Sequence, residues 1–294
     1  MSKAKGSKDR QVAWQIVEKR RNVHVVKFPA RRESWALLLA DVHWDNPKCE
    51  RGLLTRHLDE ARSREAAVVS AGDFFCAMQG KWDKRASKAD VRPEHQADDY
   101  LDAIVGTAVD YLEPYRSNLA LFGEGNHEQS IQKRHETNLT ERLCARLRDR
   151  GSNVCRGGFG GWIRFECKEV NGRGAGSRTL FYHHGAGMDP AVTKGQIEWE
   201  RMASWLDGTD LVLAGHIHHH NYTRTKRVTL DASDSIVKRT VHWLRAGTYK
   251  DCYADGAAGY HIERNRGPRS LGGWWVRFYT HNHNLRLEVV PTEE

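Results

Sequence analysis

Five short apolar runs each stop at metal-ligating or proton-carrying side chains, and this repeated boundary constrains the fold more than any other feature of the chain. The run at 35–40 leads to Asp41 and His43, that at 66–71 to Gly72 and Asp73, and that at 119–122 to Asn126 and His127. The run at 179–182 leads to His183 and His184, and the run at 211–214 to Gly215, His216 and His218. Runs of four to six apolar residues with little alternation, bounded by Gly or Asp, predict strands buried on both faces. From Asp41 to Asp73, Asn126, His184 and His216 the spacings are 32, 53, 58 and 32 residues, room each time for a strand, a crossover helix and the next strand. Strands connected in this way gather their loops beyond the carboxyl ends of the sheet, so ligands scattered in sequence are predicted to meet in one crevice.

Helical spacing of Leu53, Leu54, Leu58 and Ala61 predicts a helix over 49–66, and Leu101, Ile104, Val105, Ala108 and Leu112 predict another over 94–112. Further helices are expected over 137–148 and 194–206. Strands at 23–28 and 35–40, joined by a charged turn at 31–33, are expected to begin one sheet together. The Gly-rich stretch 157–161 runs into an alternating hairpin strand, 172–177 reads as a flexible loop, and strands at 222–230, 235–246 and 274–279 are expected to add a second sheet. A polar insertion at 76–92, carrying Gln79, Gly80, Lys81, Trp82, Asp83, Lys84 and Arg85, is expected to overhang the site.

With 294 residues and 39% hydrophobic content, the chain has the material for one sizeable core, and a single domain over 13–294 is expected. Residues 1–33 hold ten Lys or Arg against three Asp or Glu, so +7 of the formal net charge of +8 sits there. Residues 1–12 read as a disordered basic leader, because almost nothing apolar in it could offset the cost of ordering. Such an arm can neutralise phosphates of a nucleic acid; a solvated tail is the plainer alternative. Arg-rich stretches at 133–150 and 264–277 are two further basic patches, and the second encloses Trp274 and Trp275, which are expected in the core rather than as a base-stacking platform. No run of eighteen apolar residues exists and the first thirty residues lack a signal-peptide core, so no membrane association is expected and the protein is expected to be cytoplasmic. The six cysteines show no Cys-x-x-Cys spacing and read as buried free thiols.

Taken together, Asp41-x-His43, Gly72-Asp73, Gly125-Asn126-His127-Glu128, His184-Gly185 and Gly215-His216-x-His218 resemble, in order and residue type, the calcineurin-like metallophosphoesterase superfamily over residues 35–250. Carboxylate, imidazole and amide oxygens form a ligand set suited to Mn²⁺, Fe or Zn²⁺ rather than to a structural thiolate site. Seven candidate ligands exceed what one four-coordinate ion uses, and a pair of ions uses them well.

The resemblance implies an α/β fold, a four-layer α-β-β-α sandwich of two mixed sheets flanked by helices, with the metal site at the strand C-terminal ends. It implies two divalent metal ions, Mn first, with Fe, Zn or Mg as alternatives. Asp41, His43, Asp73 and His218 would hold one ion, and Asp73, Asn126, His184 and His216 the other. It further implies phosphoester hydrolysis by a hydroxide bridging the metals, with His127 as general acid and Glu128 orienting it. His184 is preferred over His183 as the ligand because it directly precedes Gly185; His219 and His220 read as solvated or supporting rings. The segment 41–47 and the stretch from Gly72 through Lys84 and Arg85 resemble a branch common in bacteriophage and prophage genomes, which places the protein in a bacterial or phage-infected cytoplasm. Phe74-Phe75-Cys76-Ala77 follows Asp73 where phosphoprotein phosphatases carry a phosphate-gripping Arg, so a phosphodiesterase or nuclease acting on nucleic acid is expected. A phosphomonoesterase or a non-catalytic nucleic-acid-binding module is the alternative.

Overall fold

Buried on every residue, the runs Ala67–Ser70 and Leu119–Phe122 form strands whose neighbours must cover both of their faces. They are β4 and β5 of a six-stranded sheet; the computed structural model describes residues 12–79, 86, 90–170, 175–187, 192–254, 260–263 and 265–294 of the chain. Residues 1–11 of the basic leader and 80–85 lie outside the described residues, as does Arg264. Among the described residues the strands are β1 (Gln15–Arg20), β2 (Val23–Ala30), β3 (Glu33–Leu39), β4, β5, β6 (Cys155–Arg156), β7 (Gly160–Lys168) and β8 (Ala175–His183). They continue with β9 (Leu211–Ala214), β10 (Asn221–Leu230), β11 (Ile236–Arg245), β12 (Trp274–His281) and β13 (Asn284–Pro291). The helices that matter here are α1 (Arg51–Ser63), α2 (Tyr100–Leu112), α3 (Asn126–His135), α4 (Leu139–Asp149) and α5 (Gln196–Ala203).

The six-stranded sheet runs β13-β12-β3-β4-β5-β6 and the seven-stranded sheet runs β1-β2-β7-β8-β9-β11-β10. Within the first, β3, β4, β5 and β6 are parallel; within the second, β8, β9 and β11 are parallel. Ala36, Leu38, Val69 and Leu121 of one sheet meet Phe165, Leu180, Leu211 and Leu213 of the other in a shared core. Fully burying each of these leucines contributes about 1.5–3 kcal/mol. Leu54 and Leu58 of α1, Ile104 and Val105 of α2, and Leu143 and Leu147 of α4 cover the outer face of the six-stranded sheet. Trp199 and Met202 of α5 cover the other outer face, against Phe181, Val212 and Trp243. The layers are therefore α-β-β-α, with two mixed sheets as expected.

Three expectations about connectivity are overturned. β2 and β3, expected side by side, belong to different sheets: β2 pairs with β7, and β3 pairs with β4 and β12. The strands after His220 add no sheet of their own, because β10 and β11 extend one sheet and β12 and β13 the other. Ala175 to Ser177 open β8 instead of lying in a loop. Trp274 and Trp275 are both buried, as expected: the Trp274 indole N–H donates to the Arg245 carbonyl at 2.8 Å, and Trp275 packs edge-on against Trp35. The six cysteines are free, all but Cys155 buried. No helix among the described residues is long and apolar enough to cross a membrane.

Candidate metal centre

Each ligand-bearing loop begins where a parallel strand ends, and backbone bonds then tie the loops to one another. The Asp41 N–H donates to the Gly72 carbonyl at 3.0 Å, His43 N–H to Asp73 O at 3.1 Å, and Gly215 N–H to His184 O at 2.9 Å. Asp41, His43, Asp73, His216 and His218 have φ of 55°, 52°, 50°, 72° and 55°. Left-handed backbone at non-glycine residues costs on the order of 1–3 kcal/mol each and persists where surrounding structure enforces it. Close approach sets the glycines between them: a Cβ on Gly125 would meet Asp73 Oδ1 at 2.0 Å, and one on Gly215 would meet Asp41 Oδ2 at 2.4 Å.

All seven expected ligands come together. Six of them form two groups, Asp41 with His43 and His218, and Asp73 with His184 and His216, whose ligand atoms within each group lie within 4.8 Å of one another, and His43 lies equally close to Cys76 and His127. In the first, Nε2 of His43 faces Nε2 of His218 at 3.2 Å, and the latter lies 3.4 Å from Asp41 Oδ1. In the second, His184 Nε2 lies 3.1 Å from both Asp73 Oδ2 and Asn126 Oδ1, and His216 Nδ1 lies 2.8 Å from the same Asn126 oxygen. The His216 N–H donates to Asp41 Oδ2 at 2.8 Å, linking the groups.

The outer nitrogens of two rings decide what the inner ones offer. His184 Nδ1 meets the Ala71 carbonyl at 3.0 Å, and His216 Nε2 meets the Gly187 carbonyl at 2.9 Å. A carbonyl only accepts, so both outer nitrogens carry hydrogen, and in the neutral rings the inner nitrogens present lone pairs. Those lone pairs point at a carboxylate and an amide oxygen, which are acceptors too. Acceptors converging in a partly buried space repel unless a cation sits among them, either a proton or a metal ion. Burial alone would lower the His184 pKa, yet Asp73 outweighs it and raises the value to about 10. Burial also opposes ionisation of Asp73, but His127 and His184 hold its pKa well below the ordinary carboxylate value. Burial drives His43 the other way, well below the usual imidazole value, leaving a neutral ring able to coordinate. The donor set thus fits divalent cations.

His127 stands beside both groups. Its Nδ1–H donates to the Cys76 carbonyl, its backbone N–H donates to Asp73 Oδ1 at 3.0 Å, and its Nε2 lies 3.6 Å from Asp73 Oδ2. Glu128 has a different place from the one expected. Its carboxylate accepts from the backbone N–H groups of Asp73 at 3.0 Å, Phe75 at 2.9 Å and Gly125 at 2.8 Å, so it fastens the Asp73 loop to the start of α3. It is the Cys76 carbonyl that fixes the His127 ring.

His183 is half-buried beside Phe159 and Phe181, with Nδ1 accepting the Gly185 N–H at 3.0 Å, outside both ligand groups. His220 stacks on Trp274 with centroids 4.1 Å apart, and Arg269 Nη1 lies 2.7 Å from His219 Nε2. Two supporting residues were given no role from the sequence. Asp45 is buried and accepts from Cys76 N–H at 2.6 Å, Ala77 N–H at 2.9 Å and the Tyr100 hydroxyl at 2.5 Å, holding the loop past Asp73. Arg245, wholly buried, donates to the Gly215 carbonyl at 2.9 Å. Asp45 falls within the segment 41–47 that carries the narrower resemblance, though without an assigned part there; nothing in the sequence marks Arg245.

No protein-family model matches the chain, and no curated protein matches it. Among solved structures, vacuolar protein sorting 29 from Cryptosporidium parvum is 15% identical, covering 90% of this chain and 100% of its own, with a TM-score of 0.33. A conserved uncharacterised protein from Streptococcus pneumoniae, described as a predicted phosphoesterase, is 11% identical over 90% and 100%, with a TM-score of 0.30. Likenesses that distant decide nothing about activity, which has to be argued from the side chains.

Proposed function

We propose that the chain is a metal-dependent phosphoesterase of the calcineurin-like kind, holding two divalent cations and hydrolysing phosphodiesters of nucleic acid. One observation carries this reading: acceptors of the buried His184 and Asp73 and the half-buried His216 and Asn126 converge where a cation relieves their repulsion, beside a second group of Asp41, His43 and His218.

Asp41, His43, Asp73 and His218 would hold one ion, and Asp73, Asn126, His184 and His216 the other, with Asp73 shared. Divalent cations in this place supply Lewis acidity and positive charge for phosphoryl transfer, and Mn²⁺ suits the mixed oxygen and nitrogen donors. The protein's own part is then positioning and proton delivery. His127, steered by the Cys76 carbonyl, offers Nε2 to a leaving oxygen, 3.6 Å from Asp73 Oδ2. Asn126 Oδ1 is kept in place by starting α3, and Glu128 holds that start against the Asp73 loop.

A polyanionic substrate is supported by the β10–β11 hairpin. Arg224, Lys226, Arg227, Lys238 and Arg239 lie on it, with Arg227 directly opposite Arg239, against only Asp231 and Asp234 at its turn. Like charges paired across strands destabilise a hairpin in isolation and are relieved by an anionic partner. The test is hydrolysis of bis-p-nitrophenyl phosphate with Mn²⁺, lost in Asp73→Ala. Turnover absent with every divalent ion would favour a binding module; much faster cleavage of p-nitrophenyl phosphate would favour a monoesterase.

A further inference from the structure

β10 and β11 stay paired from Asn221 opposite Arg245 to Leu230 opposite Ile236, but β9 lies beside β11 only from His242 to Arg245. Residues 225–230 and 236–241 therefore form a two-stranded ribbon with no third strand beside it among the described residues. Because β11 runs parallel to β9, whose end leads into His216 and His218, the ribbon projects from the opposite end of the sheet. At about 3.4 Å per residue its tip stands about 30 Å from Asn221, where β10 leaves the ligand loop.

A ribbon of two strands is marginal by itself in water. This one leaves Val228 66%, Leu230 63% and Ile236 69% exposed. The register puts Arg224, Lys226 and Lys238 on one face and Arg227 and Arg239 on the other. All five are exposed and none is ion-paired with a carboxylate among the described residues; the Arg227 guanidinium donates to the Ala203 carbonyl. Asp231 and Asp234 stand at the turn, where Asp231 Oδ1 is committed to accepting the N–H groups of Ser233 at 2.8 Å and Ser235 at 3.0 Å. Cations on both faces discriminate among partners. A flat membrane or protein surface would meet one face and leave the other's charges unrelieved, and a second copy pairing along β10 would bring more cations together. The major groove of duplex DNA admits a two-stranded ribbon and has a phosphate backbone along each flank.

We infer that the β10–β11 ribbon is a docking arm for double-stranded DNA, laid in the major groove with Lys226 and Lys238 toward one phosphate backbone and Arg227 and Arg239 toward the other. The inference rests on the nucleic-acid reading of the substrate and narrows it. A duplex held by the ribbon and cut at the metal centre must cover about 30 Å, or about nine base pairs.

The test compares the full-length protein with a neutralised triple variant, Lys226→Gln with Lys238→Gln and Arg239→Gln, and a charge-keeping one, Lys226→Arg with Lys238→Arg and Arg239→Lys. Circular dichroism checks the fold of each. Binding of a fluorescein-labelled duplex of 20 base pairs is followed by anisotropy in EDTA, so that no turnover is needed. The neutralised variant is expected to bind about tenfold or more weakly, with a salt dependence shallower by about one phosphate contact per cation removed, while the charge-keeping variant binds as the parent does. Lys238→Gln alone, the mildest change, is expected to cost about threefold. With Mn²⁺, neutralisation should raise KM for the duplex and leave kcat/KM for bis-p-nitrophenyl phosphate within about twofold. Unchanged duplex affinity in the neutralised and single variants overturns the arm. So does an equal loss for a single strand of the same sequence, or a loss seen only with phosphatidylserine vesicles. Weakened duplex binding in a protein that hydrolyses no diester would leave the arm standing and remove the phosphoesterase reading instead.

Discussion

The guanidinium of Arg245 meets the carboxylate of Glu198 at 2.8 Å, and this pair joins the two loops that carry His184 and His216. Arg245 Nη1 donates to Gly215 O at 2.9 Å, while Glu198 Oε1 accepts the Ala186 N–H at 3.2 Å. Two ligand loops from neighbouring strands are thereby fixed to α5.

Removing the carboxylate should hurt more than removing a surface charge would. Glu198→Ala leaves the wholly buried Arg245 without its ion partner, a change that typically costs about 3–5 kcal/mol. We expect a lower Tm and roughly tenfold weaker Mn²⁺ binding, of the size seen when a ligand's support is lost. Thermal melts and calorimetry on the variant check this. An unchanged metal affinity would mean that the loops need no such tie.

His127 and Glu128 are adjacent in sequence and should separate cleanly by phenotype. His127→Ala is expected to lower kcat by about 10²–10⁴-fold while the metal affinity holds, because the proposed role of the ring is to donate a proton and not to hold metal. Glu128→Ala leaves three buried backbone N–H groups without their acceptor, each costing about 1–3 kcal/mol, so stability should fall first. Melting curves and single-turnover rates on both variants distinguish the roles. A stable, metal-loaded but inactive Glu128→Ala would restore the orienting role expected for it.

Acid should destabilise the fold through histidines far from the metal ligands. Burial lowers the pKa of His24, His57 and His95, and burial with Arg224 nearby lowers His242 to about 4. Each folded value lies below the unfolded value near 6.5, so the folded state prefers the neutral ring. The stability they contribute is complete above about pH 6.5 and is lost as pH falls toward 4, through the folded value of His242. His24 is wholly buried, and neither ring nitrogen has a hydrogen-bond partner among the described residues. His24→Leu should therefore raise Tm more at pH 5 than at pH 8. A gain equal at both values would show that His24 takes no part in acid unfolding.

The basic leader gives a prediction about binding alone. Deleting residues 1–10 should weaken nucleic-acid binding at low salt and leave hydrolysis of a small diester unchanged. Electrophoretic mobility shifts over a salt series read this out, and identical affinities before and after deletion would remove the arm from recognition.

The site was legible because its strands announce themselves locally. β5 and β9 coincide with their apolar runs to the residue, and the ligands follow at once. What escaped notice lacks that local signal. α3 begins on Asn126 itself, and apart from Ile131 its buried residues are His127 and Glu128, so no apolar period marks it. β1 buries only Ile16, so no apolar run marks it. The separation of β2 from β3 depends on β7, more than 130 residues further along, where Val23 pairs with Trp162. Pairing partners that distant leave no trace in the run itself. Arg245 was silent for the same reason, since its partners come from α5 and from the loop after β9.

A calorimetric titration of the metal-stripped chain with Mn²⁺ tests the central claim most directly. Two ions should bind per chain, falling to about one in His216→Ala, with bound metal raising Tm by mass action. Saturation without any Mn²⁺, Zn²⁺ or Fe²⁺ bound, or a stoichiometry untouched by His216→Ala, would contradict it.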